Sequence, residues 1–211
     1  ALPISMFRIL RIPEAGRVKE VDQGINDHTD SFSSFIIPEI QEMVSTGREH
    51  HAGALLTIIP VFFKFSGFTY TKKVFDLHKF NEFFTAVMDI TTKFDGRLNR
   101  ISMGDKGSTF LILFGAPTPK EQIEQQASQW SIEVKQMILE NYENISLGIG
   151  MNSGRAFTGI VGGSGRWDYT VMGSTVNLSA RIMQSAEENQ ICTSETVRDK
   201  ASKNFRFKKL G

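Results

Sequence analysis

Asn177 and Arg181 stand four residues apart in Val176-Asn-Leu-Ser-Ala-Arg181, which puts an amide and a guanidinium on one face of a helix. A planar, permanently charged fork beside a carboxamide suits a phosphate-bearing ligand. The sequence just upstream supplies a way to deliver the pair. Tyr169 and Val171 favour a short strand, Gly173 interrupts it, and Ser174 or Thr175 is placed to cap a helix beginning near Val176. A helix start reached through a glycine turn points N–H groups and a positive dipole end at an anion. An isolated pair at this spacing is more often a capping amide and a surface charge. The glycine-rich run before it, Gly159-Ile-Val-Gly-Gly-Ser-Gly165, tips the balance toward chemistry.

Three further stretches precede this block in order: Val61-Phe-Phe-Lys-Phe-Ser-Gly-Phe-Thr69, Arg100-Ile-Ser-Met-Gly-Asp-Lys-Gly-Ser-Thr-Phe-Leu-Ile-Leu-Phe-Gly-Ala-Pro117 and Ser146-Leu-Gly-Ile-Gly-Met-Asn-Ser-Gly-Arg155. Together with Arg166-Trp-Asp-Tyr-Thr-Val-Met-Gly173 they resemble the catalytic domain of class III nucleotide cyclases, which make cyclic AMP or cyclic GMP. The similarity runs from about Leu55 to the chain end. It is closest to the second, C2-like half of the soluble, bicarbonate-responsive adenylyl cyclases. Several ordered motifs at family spacing are far more specific than a lone glycine motif.

The resemblance implies a reaction and a division of labour. The ribose 3′ oxygen of ATP attacks the α-phosphorus and pyrophosphate leaves, with two Mg²⁺ or Mn²⁺ ions assisting. Such ions need carboxylate ligands. In the family two aspartates supply them, from the first strand and the first hairpin. Here the first position is Lys64, whose ammonium repels a metal, and the second falls on Ser108 when the alignment is anchored on Phe114-Gly-Ala-Pro117. Sliding the alignment to Asp105 rescues one carboxylate at the cost of two extra hairpin residues; Asp105 otherwise reads as a turn residue. Either way the metal site is incomplete, and the metals are expected only through a partner. The resemblance makes Asn177 the residue that orients ribose or triphosphate and Arg181 the one that stabilises charge developing on the phosphates. Thr170 occupies the purine-reading position. Arg100 aligns with the base-reading lysine, and Lys106 is a nearby alternative cation or a solvated turn lysine. A further phosphate-binding lysine of the family is expected beyond Gly211.

The elements that must position these residues follow from periodicity. Leu55 to Phe63 is an apolar run suited to a buried strand. Phe75 to Phe94 carries Phe80, Phe83, Phe84, Val87, Met88 and Thr91 on one helical stripe. Strands are expected at Arg97–Met103 and Thr109–Phe114 around the turn Gly104-Asp-Lys-Gly107. A helix over Glu121–Asn141 follows, then a strand pair at Ile145–Asn152 and Ala156–Val161. After the helix from Val176 to Ser185, the pattern predicts a strand at Gln190–Thr193, a helix at Ser194–Ser202 and a last strand at Asn204–Lys208. The fold class is α/β (α+β), a ferredoxin-like β-α-β-β-α-β core with appended strands and helices. Residues 1–50 read as a variable lead-in packed on the domain, with a strand at Ile4–Ile12 and a short helix at Pro38–Thr46. Residues 51–211 read as the cyclase-like unit, truncated at its C-terminus.

Composition agrees with a cytoplasmic globular domain. The chain of 211 residues is 40% hydrophobic and 22% charged, which fits a packed core rather than disorder. A net charge of +1 argues against a broad nucleic-acid surface. The single cysteine, Cys192, excludes an internal disulfide, and no apolar run approaches the roughly 20 residues that span a bilayer. Phenylalanine is frequent at 17 residues, but Phe80, Phe83 and Phe84 at helical spacing indicate core rather than a ligand box. His28, His78 and the adjacent His50-His51 lack metal-ligand spacing. Lys208-Lys209 reads as a solvated strand edge.

Two functions compete. In one the chain is the C2-like half of an adenylyl cyclase, pairing with a metal-bearing C1-like domain of the same or another polypeptide, and inactive alone. In the other it is a regulatory pseudo-cyclase that dimerises and binds nucleotide or anion without chemistry. A guanylyl-type enzyme is the weaker third, because Thr170 stands where guanine reading calls for an acid. On its own the chain is expected to form at most a weak homodimer.

Overall fold

The computed structural model describes residues 40–42, 53–68, 76–104, 107–163 and 166–210. The strand expected at Ile4–Ile12, His28, His50-His51, Asp105 and Lys106 lie outside them. Residues 40–42 are helical, within the helix expected at Pro38–Thr46.

The organising element is β1 (Ala54–Ser66), whose 13 residues exceed the run of Leu55 to Phe63 at both ends. Its side chains alternate between two cores, as the period of a strand requires. Ile59, Val61, Phe63 and Phe65 enter the larger core. Leu56, Ile58 and Phe62 pack in the smaller one on the other face. Helix α1 (Leu77–Lys93) and helix α2 (Ile123–Asn141) close the larger core with Phe83, Val87, Ala127, Trp130, Val134 and Ile138. Aromatic rings fill it: Phe65 lies 4.8 Å from Phe110 and 5.0 Å from Phe83 between centroids. The phenylalanine stripe is therefore core, with Phe83 buried and Phe80 and Phe84 packed beside it. The indole N–H of Trp130 is satisfied by Thr91 Oγ1 at 2.9 Å.

Strands β2 (Arg97–Ser102), β3 (Ser108–Phe114) and β4 (Ser146–Met151) complete the central sheet, and β7 (Gln190–Thr193) adds an edge in the order β2-β3-β1-β4-β7. The first four pair antiparallel, while β7 runs parallel to β4. With α1 and α2 as crossovers this is the β-α-β-β-α-β arrangement expected. Strands β5 (Gly154–Gly163) and β6 (Arg166–Met172) form a hairpin joined to the first half of β1. Helix α3 (Ser174–Ser185) follows β6, and the short helix α4 (Glu195–Ala201) follows β7.

Three expectations are corrected. The fourth and fifth strands do not pair with each other. Both pair with β1 in the same register, Ser66↔Ser146 to Val61↔Met151 and then, past a break at residues 152–153, Ile58↔Gly154 to Ala54↔Thr158, because β1 is long enough to take them end to end. The helix after Gly173 begins at Ser174, and neither Ser174 nor Thr175 caps it; the N-cap is Gly173, with φ 144°. The last strand at Asn204–Lys208 is not formed. The amide of Phe205 closes on Ala201 O at 3.2 Å, so the chain leaves α4 in a turn. Lys208 and Lys209 are exposed but edge no strand.

Candidate functional site

Gly173 sets the start of α3. Its backbone lies where side chains are disfavoured, and its carbonyl accepts from Val176 N at 3.2 Å and Asn177 N at 3.3 Å. Thr175, expected as a cap, is instead buried and donates to Arg155 O at 2.9 Å. Thr175, Ser179 and Met183 form the inward face of α3. Asn177 and Arg181 are therefore displayed outward, both exposed, one turn apart.

α3 approaches the backbone of β4 and β5 closely at two glycines. A Cβ at Gly150 of β4 would lie 2.0 Å from Met183 N, and one at Gly154 would lie 2.6 Å from Thr175 Oγ1. The glycines of Ser146-Leu-Gly-Ile-Gly-Met-Asn-Ser-Gly154 let the helix approach this closely. They fix its height and rotation over the sheet, and hence the direction of Arg181.

Thr170 lies on β6, half-buried, opposite Gly159 of β5. Arg100 is exposed on β2 immediately after a break in pairing: Leu98 faces Ile112 and Arg100 faces Leu111, so Asn99 is an extra, bulged residue. The Asn99 amide donates to Tyr169 O at 2.8 Å. The neighbours of Arg100 and Thr170 are thereby tied together. Sequence reading missed Asn99, since nothing in a strand pattern marks a bulge.

Lys64 and Ser108, the two positions the sequence reading set against the family's metal aspartates, do not face each other. Lys64 lies exposed opposite Thr109 and Gly148. Its stem runs past Gly107, where an added Cβ would come 3.1 Å from Lys64 Cε. Ser108 is buried opposite Phe65, on the face of the aromatic core. An ammonium and a buried hydroxyl on opposite faces do not fit a divalent ion. Among the described residues, no three His, Cys, Asp or Glu side chains group as a metal site. Cys192 is buried, and burial pushes its thiol pKa up. His78 is exposed beside Glu82.

One other surface adjoins the site. Leu55, Phe157 and Met172 face one another across β1, β5 and β6 and are 55%, 37% and 50% exposed. This row ends two residues from Thr170, on the same face of β6.

A twisted sheet with a helix-seating glycine strand, a Gly-turned helix displaying Asn and Arg, and a βαββαβ core together define the fold of nucleotide cyclase domains. The chain belongs to the adenylate and guanylate cyclase catalytic domain family, whose profile matches residues 55–211. Among curated proteins it is similar to human adenylate cyclase type 10, with 35% identity over 127 residues, 60% of this chain and 8% of that protein. The match thus spans less than a tenth of that relative's length. Among solved structures it resembles the adenylyl cyclase CyaB from P. aeruginosa (TM-score 0.60, 20% identity, 72% of this chain and 83% of that one). It also resembles a non-canonical dimeric guanylyl cyclase domain of the RhoGC fusion protein from Blastocladiella emersonii (TM-score 0.63, 20% identity, 74% and 90%). At that identity these structures speak to fold alone. Among the described residues no helix is long and apolar enough to cross a membrane.

Proposed function

We propose that this chain is the C2-like half of an adenylyl cyclase, contributing base recognition and phosphate stabilisation at an interface with a second cyclase domain that carries the metal carboxylates. The observation that carries the reading is α3: Asn177 and Arg181 stand exposed on one face of a helix rigidly seated on the sheet, next to the strand bearing Thr170. A fixed guanidinium needs no reorganisation as charge builds on the phosphates. The similarity to adenylate cyclase type 10 favours ATP over GTP as the nucleotide. Mg²⁺ or Mn²⁺ would neutralise the triphosphate when bound by the partner's carboxylates. This chain's own residues would hold the base between Thr170 and Arg100 and clamp ribose and phosphate with Asn177 and Arg181. Lys106, the alternative cation, lies outside the described residues. The apolar row Leu55–Phe157–Met172 gives the interface a dry patch beside the site.

The test is cyclic AMP formation from Mg-ATP by purified 1–211, alone and mixed with a cyclase domain bearing both aspartates. Activity only in the mixture is expected. Robust turnover by the isolated chain would overturn the half-site reading.

Lys64 favours a second reading. A cation in place of a metal ligand suits a pseudo-cyclase that pairs and holds an anion without chemistry. A mixture that associates tightly yet makes no cyclic nucleotide would select it.

A further inference from the structure

Glu124 lies on the first turn of α2, 7% exposed, and no step proposed above uses it. A buried carboxylate is costly unless it is paired and hydrogen-bonded, and an apolar residue would fill the inner face of α2 more simply. Its Oε1 accepts from Ser153 Oγ at 2.6 Å and from Lys200 Nζ at 2.7 Å. Burial raises the carboxyl's pKa, but the bonds from Lys200 and Ser153 outweigh it and hold the group below its ordinary value.

Three elements meet at this one oxygen: α2, α4 through Lys200, and the joint between β4 and β5 through Ser153. The joint is the only break in the long path that runs beside β1, at residues 152–153. On one side it is gripped by Glu124 and by Ser194 N, which donates to Met151 O at 3.1 Å. On the other side it grips α3. Asn152 Nδ2 donates to Thr175 O at 3.5 Å, and Arg155 O accepts from Thr175 Oγ1 at 2.9 Å. Gly150 and Gly154 leave α3 no slack against the strand. A shift of the joint is therefore a shift of the helix.

We infer that Glu124 is a positioning residue: pinned by Lys200, it holds the β4–β5 joint so that α3 presents Asn177 and Arg181 in one orientation. The functional value of that pinning rests on the half-site reading above; the pinning itself does not. Both are tested on the full 1–211 chain by amide hydrogen exchange and, after mixing with the carboxylate-bearing domain, by kinetics.

Glu124→Gln and Lys200→Met are expected to raise exchange in residues 152–156 and 174–181 on the order of tenfold while α1 is unchanged. Lys200→Arg, which keeps the charge, should restore the wild-type pattern. Ser153→Ala, a milder change, should show the same pattern at smaller amplitude if Glu124→Gln does not fold. In the mixture, Glu124→Gln should lower kcat on the order of tenfold with KM for ATP retained, the mark of a misdirected Arg181 rather than lost binding. An equal rise in exchange across α1 and α3 would reduce Glu124 to general stability and overturn the inference. So would unchanged exchange at 174–181. A wild-type mixture without activity would sink the half-site reading, yet the exchange data would still decide the pin.

Discussion

The side-chain amide of Asn99 donates to the main-chain oxygen of Tyr169 at 2.8 Å, tying the bulge of β2 to the strand that carries Thr170. The bond spans 70 residues of sequence and joins two hairpins that share no backbone pairing with each other. It sets where Arg100, the next residue, stands relative to Thr170. Asn99→Ala removes the tie without touching Arg100 or Thr170, the two residues proposed to read the base. It should lower kcat/KM for ATP in the paired enzyme roughly fivefold, the worth of about 1 kcal/mol for one partly buried hydrogen bond. Steady-state kinetics against ATP and GTP measures this, and unchanged kcat/KM would confine Asn99 to a surface role.

Arg181→Ala should leave the fold intact, because the side chain is exposed and packs into neither core. In the paired enzyme it should lower kcat on the order of 10²-fold or more, the size of losing a single preorganised donor to developing charge, with a smaller change in KM. Matching circular dichroism spectra and a fallen kcat are the expected outcome. An unchanged kcat would leave Arg181 an ordinary surface charge.

Much of this architecture is legible in the sequence, and the exceptions have a common cause. Period 3.6 marks α1 and α2 because an amphipathic stripe must meet a sheet, and the stripe Phe80 to Thr91 does so. Period 2 marks strands but says nothing of partners. Ile145–Asn152 and Ala156–Val161 therefore read as a strand pair when they are two halves of one path along β1. The same limit explains Asn204–Lys208, which alternates like a strand but forms none. Thr175 reads as a cap by residue type, yet Gly173 takes that place and Thr175 turns inward to Arg155. The pair Asn177 and Arg181 was legible because it depends only on local spacing. Asn99 and Glu124 were not, since each acts through a partner distant in sequence.

Gly150→Ala tests the seating of α3. The added methyl would lie 2.0 Å from Met183 N and 2.4 Å from Met183 Cα, both backbone, so no side chain can yield to it. The helix must lift or tilt. A loss of stability of about 1–3 kcal/mol is expected, with activity in the paired enzyme falling further than stability because Arg181 moves with the helix. Urea unfolding beside kcat separates the two. A variant as stable and active as wild type would show that α3 is not held against this strand.

The Glu124–Lys200 pair predicts a pH dependence with a definite sign. A carboxyl held below its ordinary value of 4.5 in the folded state stabilises the fold above that pH. The stabilisation is lost as pH falls through the lower, folded value. Asp95, held low by its bond from Lys120, adds a contribution of the same sign at the surface. The difference between wild type and Glu124→Gln isolates the buried group. It should be largest near neutral pH and shrink as pH falls below about 4.5 toward the folded value. Thermal unfolding of both proteins over pH 3 to 7 measures it, and a difference that grows on acidification would contradict the assignment.

The final prediction concerns the row Leu55, Phe157 and Met172. Three large apolar side chains in cross-strand register, two of them half exposed or more, are out of place on a face meant for water. Met172 is two residues from Thr170, so whatever covers the row also borders the position proposed to read the base. On the half-site reading, self-pairing through this face would bring two like domains together with Lys64 of one protomer toward Arg181 of its partner. Two cations across one cleft disfavour that pairing, whereas a domain with carboxylates at the Lys64 position meets Arg181 with opposite charge. Sedimentation should therefore find the chain alone as a monomer or weak dimer, and as a heterodimer once the carboxylate-bearing domain is added. Met172→Glu should weaken the heterodimer on the order of tenfold or more, since the interface would bury an unpaired charge. Leu139→Glu, on the exposed outer surface of α2, should leave association unchanged. A tight homodimer that excludes the second domain would defeat the half-site reading. Equal effects of the two substitutions would show that the row is not the surface through which the domains meet.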